Sequence, residues 1–340
     1  MFRKHLLLGV RISMIRKSNT SFRFKLFNQP INLLHLLFSS LHVMPEMGDQ
    51  LRINDYKKLG SENEKEWQQP FYFVQGADTQ FGLIARYIEH LKEPQWEKEK
   101  ILAKQCVEKI NNLSPKPKFF IICGDLCDAL PGTEWEVRKE QIKDFYEIFQ
   151  NVDKSIPLIC VCGNHDVGDQ PTVETVNRYR TTFGDDYFSF WAGGVFFIVI
   201  NTQYFYDGSK VPEITAEQNK WLDEQLKYSS QSKHGAVIFQ HIPWFLDDPE
   251  TNEESYFFIK KSVRKPMLEK LYENGVKYIF SGHFHRNAGG FYKDLESVVT
   301  SAIGGQLGND KSGFRIVKVM DTKITHEYYD FDNCPKTVDL

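Results

Sequence analysis

Several large protein classes are excluded by what this 340-residue sequence lacks. Its six cysteines include no Cys-x-x-Cys pair, so neither a zinc ribbon nor a disulfide-held scaffold is expected. No P-loop and no G-x-G-x-x-G occur, so no bound nucleotide cofactor is expected. No G-x-S-x-G elbow occurs (the nearest string, Phe280-Ser281-Gly282, lacks it), which leaves Ser/His/Asp hydrolysis without support. A transmembrane helix needs about 20 apolar residues. The best stretch, Ile31–Met44, is shorter and contains His35 and His42. Neither sign of charge dominates, with 42 Lys and Arg against 45 Asp and Glu. That balance gives no support to bulk nucleic-acid binding.

What is present is ordinary in bulk, 41% hydrophobic and 26% charged, but uneven along the chain. Residues 1–45 hold Arg3, Lys4, Arg11, Arg16, Lys17, Arg23 and Lys25 and no acidic residue. That composition fits an organelle transit peptide. The plainer reading is an extension upstream of a start at Met44 or Met47, and this reading is favoured, with disorder expected either way. No small-residue cleavage site follows Leu6–Val10, so no secretory signal is read. Residues 1–63 are treated as a leader, 64–332 as one domain and 333–340 as a tail. Reduced, mostly buried thiols in a cytoplasmic protein are the expectation for the cysteines.

From Phe71 short apolar runs alternate with helical periodicity. Strands are expected at Phe71–Gln75, Phe119–Cys123, Leu158–Cys162, Ala236–Gln240 and Lys277–Ser281. Helices are expected at Trp96–Leu113, Glu134–Phe149, Thr172–Phe183, Thr215–Tyr228 and Lys260–Glu273. Thr215, followed three residues later by Gln218, reads as a capping pair. Tyr187–Trp191 and Val195–Asn201, joined through Gly193-Gly194, read as a hairpin. The tail changes character, with strands at Gly289–Tyr292, Val298–Ala302, Phe314–Met320 and Ile324–Tyr329 and no long helix. The pattern predicts an α/β sheet buried on both faces, with a strand-rich sheet beside or on it.

In open α/β sheets, active sites lie outside the carboxyl ends of strands. Here FYFVQ leads to Asp78-Thr79-Gln80, FFIIC to Gly124-Asp125-Leu126-Cys127-Asp128, and LICVC to Gly163-Asn164-His165-Asp166. VIFQ leads to His241, and YIFS to Gly282-His283-Phe284-His285. Taken singly, each has an ordinary explanation: Asp and Asn form turns and caps, a lone His is commonly a satisfied core residue, and His-x-His is commonly a solvated loop. Taken together, five consecutive strand ends each offer an oxygen or imidazole donor, and four carry a glycine where the chain must turn near a ligand.

This order of motifs resembles the calcineurin-like metallophosphoesterase family, with its D-x-H, G-D-x-x-D, G-N-H-D/E, H and G-H-x-H. The resemblance spans about residues 64–330, with four of five motifs intact. PKPKFFIICGDL, GDDYFSFWAGGVFFIVINTQ, WLDEQL, VIFQHIPWF and FSGHFHRNAGG are similar to one subgroup, regarded as cytoplasmic Ser/Thr protein phosphatases. The resemblance implies an α/β fold: a metallophosphoesterase-type β-sandwich flanked by helices, in four layers α/β/β/α. It implies one or two divalent cations (Mn, Fe, Zn or Mg) and a phosphorylated protein substrate, with no nucleic-acid or membrane partner. It leaves the oligomeric state open.

Carried residue by residue, the resemblance makes Asp125 a bridging ligand, Asp78 and His285 ligands of a first metal, and Asn164, His241 and His283 ligands of a second. Metal-bound hydroxide would attack the phosphomonoester, and His165 would protonate the leaving alkoxide. Asp128 stands where the family carries a carboxylate that orients this histidine; a helix cap is the alternative.

Two departures matter. Gln80 replaces the His of D-x-H and offers only a neutral carbonyl oxygen, which predicts a weaker or exchangeable first metal. Ala129 and Val167 occupy positions where calcineurin itself and its nearest phosphatase relatives carry Arg. Arg286 is either a replacement grip on phosphate or an exposed surface residue. Trp244 and Phe245 are candidates to wall the site or to pack in the core. The acidic run Asp247–Glu254 would repel polyanions if it rims the cleft. A phosphodiesterase or nucleotide hydrolase, or a non-catalytic metal-binding scaffold, stands as the alternative function.

Overall fold

The computed structural model describes residues 55–340. The basic stretch 1–45, with the expectations placed on it, lies outside the described residues. The strands in chain order are β1 (Phe71–Gly76), β2 (Phe120–Cys123), β3 (Leu158–Val161), β4 (Phe188–Ala192), β5 (Val195–Val199), β6 (Ala236–Phe239), β7 (Val276–Ser281), β8 (Ala288–Tyr292), β9 (Leu295–Val299), β10 (Gly313–Val319) and β11 (Ile324–Asp330). The α-helices are α1 (Glu97–Asn112), α2 (Trp135–Phe149), α3 (Asn164–Val167), α4 (Val173–Phe183), α5 (Gln203–Asp207), α6 (Pro212–Gln225) and α7 (Lys261–Glu273).

Two mixed sheets form, ordered β11-β10-β1-β2-β3 and β4-β5-β6-β7-β9-β8. β1, β2 and β3 run parallel, as do β5, β6, β7 and β9. Strands such as FYFVQG and VFFIV are buried at every position, as parallel strands covered on both faces must be. Between the sheets lies an aromatic layer that includes Phe73, Phe119, Phe197, Phe239 and Phe280. Phe73 stacks on Phe119 with ring centroids 4.7 Å apart. On the outer face of the first sheet Cys106 and Ile110 of α1, Phe145 and Phe149 of α2, and Val176 and Phe183 of α4 join one core. On the outer face of the second sheet Leu222 of α6 and Leu268 and Leu271 of α7 join another. The architecture is the four-layer α/β/β/α sandwich.

The division of strands differs from the sequence expectation. The strand-rich tail does not build a sheet of its own. β8 and β9 extend the second sheet, while β10 returns antiparallel to β1 in the first. Periodicity reports that a strand is buried, not which neighbour it pairs with. α6 begins a turn before Thr215, with Val211 at its cap position and Pro212 in its first turn. Gln218 is therefore no cap; it exchanges hydrogen bonds with the Asn201 main chain, at 2.7 Å from its N–H and 3.1 Å to its carbonyl.

The packed body also starts before the boundary placed at residue 64. Tyr56 stacks on Phe188 at 4.1 Å, and Leu59 is buried. At the other end, Val338 is buried and its N–H donates to the Ser114 carbonyl, so the tail packs on the domain. Among the described residues no helix is long and apolar enough to cross a membrane.

Candidate metal centre

The five motifs leave the carboxyl ends of β1, β2, β3, β6 and β7, and main-chain hydrogen bonds lace their loops together. Asp78 N–H donates to the Gly124 carbonyl (3.0 Å), Gln80 N–H to Asp125 (2.8 Å) and Gly282 N–H to His241 (3.1 Å). The turns are tight. Asp78, Gln80, Asp125, His283 and His285 all have positive φ, between 30° and 71°. Such left-handed non-glycine backbone is costly and clusters where a site imposes it. Gly124 is required at φ 83°, because a Cβ there would lie 2.3 Å from His241 Nδ1. Gly282 is required by proximity, since its Cβ would lie 2.5 Å from Asp78 Oδ2.

Four histidines share one arrangement. Each has one ring nitrogen on a main-chain carbonyl: His165 Nδ1 on Asp128 (2.7 Å), His241 Nδ1 on Cys123 (2.8 Å), His283 Nε2 on Tyr256 (2.9 Å) and His285 Nδ1 on Gly305 (2.6 Å). A carbonyl only accepts, so each of these nitrogens carries its hydrogen and the other is left to ligate or titrate. His241 Nε2 then faces Asn164 Oδ1 at 3.0 Å and Asp125 Oδ2 at 3.2 Å. His285 Nε2 faces Asp78 Oδ1 at 3.4 Å. Asp125, His241 and His283 bring ligand atoms within 4.8 Å of one another. Asp78 accepts from the His283 N–H at 2.9 Å, and Asp125 from the His165 N–H at 2.8 Å.

The charges of this buried cluster are in conflict without a cation. Burial pushes the Asp78 carboxyl well above its ordinary range, with Asp125 adding to the rise against His241. Burial acts the same way on Asp125, but His241, His165 and His283 outweigh it and hold that carboxyl far below its ordinary range. Burial would lower His241, yet Asp125 and Asp78 raise it to about 9. Burial drops His283 to about 3, helped by His241, and His285 to about 4. Neutral imidazoles with bare lone pairs, two carboxylates in competition and an amide oxygen form a donor set for a borderline divalent ion. The His241 Nε2 hydrogen lies between Asn164 Oδ1 and Asp125 Oδ2, where a bound cation would take its place. Gln80 Oε1 is buried with no hydrogen-bond partner, so it too has a donor atom to give.

Asp128 differs from expectation. It holds His165 by its main-chain carbonyl, while its Oδ1 lies 3.4 Å from the same nitrogen. Its carboxylate instead accepts from Gln80 Nε2 at 3.1 Å and pairs with Arg86 Nε at 3.2 Å. Arg86 also forks onto Glu134. Arg286 is exposed, donates to the Leu307 carbonyl and lies over the Phe284 ring. Among the described contacts none ties it to the cluster. Trp244 and Phe245 are fully buried in the outer core of the second sheet, so they pack and do not wall the site. In the acidic run, Glu250 is paired with Lys261 and Lys265.

Sequence reasoning missed Arg138 and Asp166 as builders of the site. Buried Arg138 donates to Asp166 Oδ1 (2.8 Å) and to the carbonyls of Ala129 (2.8 Å) and His165 (2.9 Å). Asp166 accepts from the N–H groups of Gly163 (2.9 Å) and Leu126 (3.2 Å), tying two motif loops. Its place in G-N-H-D was the available signal. Arg138 had none, because it sits in the first turn of α2 among other charged residues.

With this geometry in view, the similarities are specific. The model of the family described as Calcineurin-like phosphoesterase matches residues 77–287. A Bos taurus protein named Serine/threonine-protein phosphatase CPPED1 is 52% identical over 279 residues, covering 81% of this chain and 88% of its own. Its Homo sapiens counterpart is 49% identical over 276 residues, covering 80% and 87%. Among solved structures, a dimetal phosphatase from Danio rerio superposes with a TM-score of 0.58 at 12% identity, covering 78% of this chain and 97% of that one. The last shares the fold. On the match of the family model and the identity across nearly the whole length of these relatives, the chain belongs to the calcineurin-like phosphoesterase family.

Proposed function

We propose that this chain is a metal-dependent phosphatase acting on phosphoserine and phosphothreonine in proteins. The observation that carries the reading is the convergence of Asp125, His241 and His283 donor atoms within 4.8 Å, with Asn164 Oδ1 beside them and His165 next in sequence. Asp125, Asn164, His241 and His283 would hold one ion, and Asp78, His285 and the Gln80 Oε1 atom would hold another together with Asp125. When bound, such ions make a nucleophile available from water and offset charge on the phosphoryl oxygens. His165 keeps its Nδ1 hydrogen on the Asp128 carbonyl. Its Nε2 therefore donates only in the imidazolium form, the form a general acid for the leaving oxygen requires. The names of the relatives support a phosphoprotein substrate, and the balanced charge supports neither nucleic acid nor a membrane as partner. Buried thiols at Cys106, Cys123, Cys127 and Cys162 support a cytoplasmic location. The ion is one of Mn, Fe, Zn or Mg.

The test is turnover of a phosphopeptide, an aryl monoester and an aryl diester by metal-stripped protein. Each ion is added back in turn, beside His165→Ala and Asp125→Asn. Metal-dependent hydrolysis of both monoesters, lost in both variants, is the expected result. Preference for the diester would replace the reading with a phosphodiesterase. Metal binding without any turnover would replace it with a scaffold.

A further inference from the structure

We infer that Asp169 and Tyr256 are a positioning pair that fixes which atom of Asn164 faces the metal centre. The inference rests on the function proposed above. Neither residue belongs to a motif; they lie 5 and 92 residues from Asn164 in the chain. Both hydrogens of the Asn164 amide have acceptors, Asp169 Oδ1 at 2.7 Å and Tyr256 Oη at 2.7 Å. Tyr256 Oη in turn donates to Asp169 Oδ1 at 3.2 Å, closing the ring of three side chains.

The consequence is chemical. An amide can present either its oxygen or its nitrogen, and only the oxygen ligates a cation. Turned over, Asn164 would set its carbonyl oxygen against the Asp169 carboxylate and its N–H groups against His241. As held, Oδ1 lies 3.0 Å from His241 Nε2. Tyr256 acts a second time through its main chain. Its carbonyl accepts from His283 Nε2 at 2.9 Å, which leaves His283 Nδ1 bare, and its ring lies 5.0 Å from the His283 ring. One residue of the 246–260 loop thus orients two donors of the same half-site. Outer partners of this kind are worth about ten- to a hundredfold in metal affinity.

Asp169 and Tyr256 are both exposed, so their substitution leaves the core intact. The experiment titrates Zn2+ into metal-free protein against a chromogenic chelator and follows thermal unfolding of the metal-free forms. Tyr256→Phe, which keeps the carbonyl to His283, and Asp169→Asn each raise one Zn2+ dissociation constant about ten- to a hundredfold. Any second constant stays within about twofold, and the metal-free midpoints match wild type. Because both residues hold one amide, the double variant loses at most about threefold beyond the weaker single variant. Constants within about twofold of wild type in both variants overturn the inference while leaving the proposed function standing. So do losses that multiply in the double variant, or an equal loss at every ion with a lowered metal-free midpoint. Wild-type protein that binds none of Zn2+, Mn2+, Fe2+ and Mg2+ in the same titration overturns both.

Discussion

His165 meets Asp128 through the main chain: its Nδ1 lies 2.7 Å from the Asp128 carbonyl oxygen and 3.4 Å from the Asp128 carboxylate. The carboxylate is engaged by Gln80 and Arg86. The ring orientation therefore survives loss of the carboxylate charge. Asp128→Asn is expected to lower kcat on a phosphopeptide by about ten- to a hundredfold, through the shifted Gln80 amide. His165→Ala, which removes the proton donor, is expected to lower it by about a hundred- to ten-thousandfold. Equal losses in steady-state assays would mean that the carboxylate charge, and not the carbonyl, sets the histidine.

Metal binding is expected to release a proton from His241. Without metal its pKa stands at about 9, because Asp125 and Asp78 outweigh the effect of burial. Below that pH an entering ion must displace the proton, so affinity rises with pH and levels off above about 9. His283 and His285, lowered to about 3 and about 4, are already neutral at pH 7 and contribute no release. Calorimetry at pH 7.5 in buffers of different ionisation enthalpy reads the number directly. Close to one proton per ion at this half-site is expected, and none would contradict the assignment.

Arg138 and Asp166 form a buried ion pair at 2.8 Å, with the guanidinium also donating to three carbonyls. Arg138→Met leaves the Asp166 carboxylate buried without a countercharge, at a cost of about 3–5 kcal/mol. Adding Asp166→Asn is expected to recover part of that loss, since a neutral amide tolerates burial better. Urea unfolding of the metal-free proteins checks both, and a loss below about 1 kcal/mol in Arg138→Met would remove the pair's structural role.

Much of the site was legible because its chemistry is written locally. Asp78, Asp125, Asn164, His241, His283 and His285 each follow an apolar run by one to four residues. A buried strand must end before a polar donor, so those positions reveal themselves. Gly124 was legible for the same reason, as the residue that lets the chain turn against His241. Arg86, Arg138, Asp169 and Tyr256 were not. Arg86, Arg138 and Tyr256 act on motif residues distant in the chain, Asp169 acts on one five residues away, and nothing in their own neighbourhoods distinguishes them from solvated side chains. Arg286, beside the motif in sequence, turned outward to the Leu307 carbonyl, whereas Arg86 reached Asp128 from the short helix Ile84–Ile88, outside any motif.

The sequence alone determined that buried strands alternate with helices and that oxygen and imidazole donors stand at their ends, because burial periodicity and turn chemistry are local. The pairing of β10 with β1 was decided only by the fold. So was the start of α6 at Pro212, and so was the transfer of the His165 contact from the Asp128 carboxylate to its carbonyl. Which strand finds which neighbour, and which atom of a residue faces a partner, depend on packing between segments distant in the chain. No local pattern carries that information.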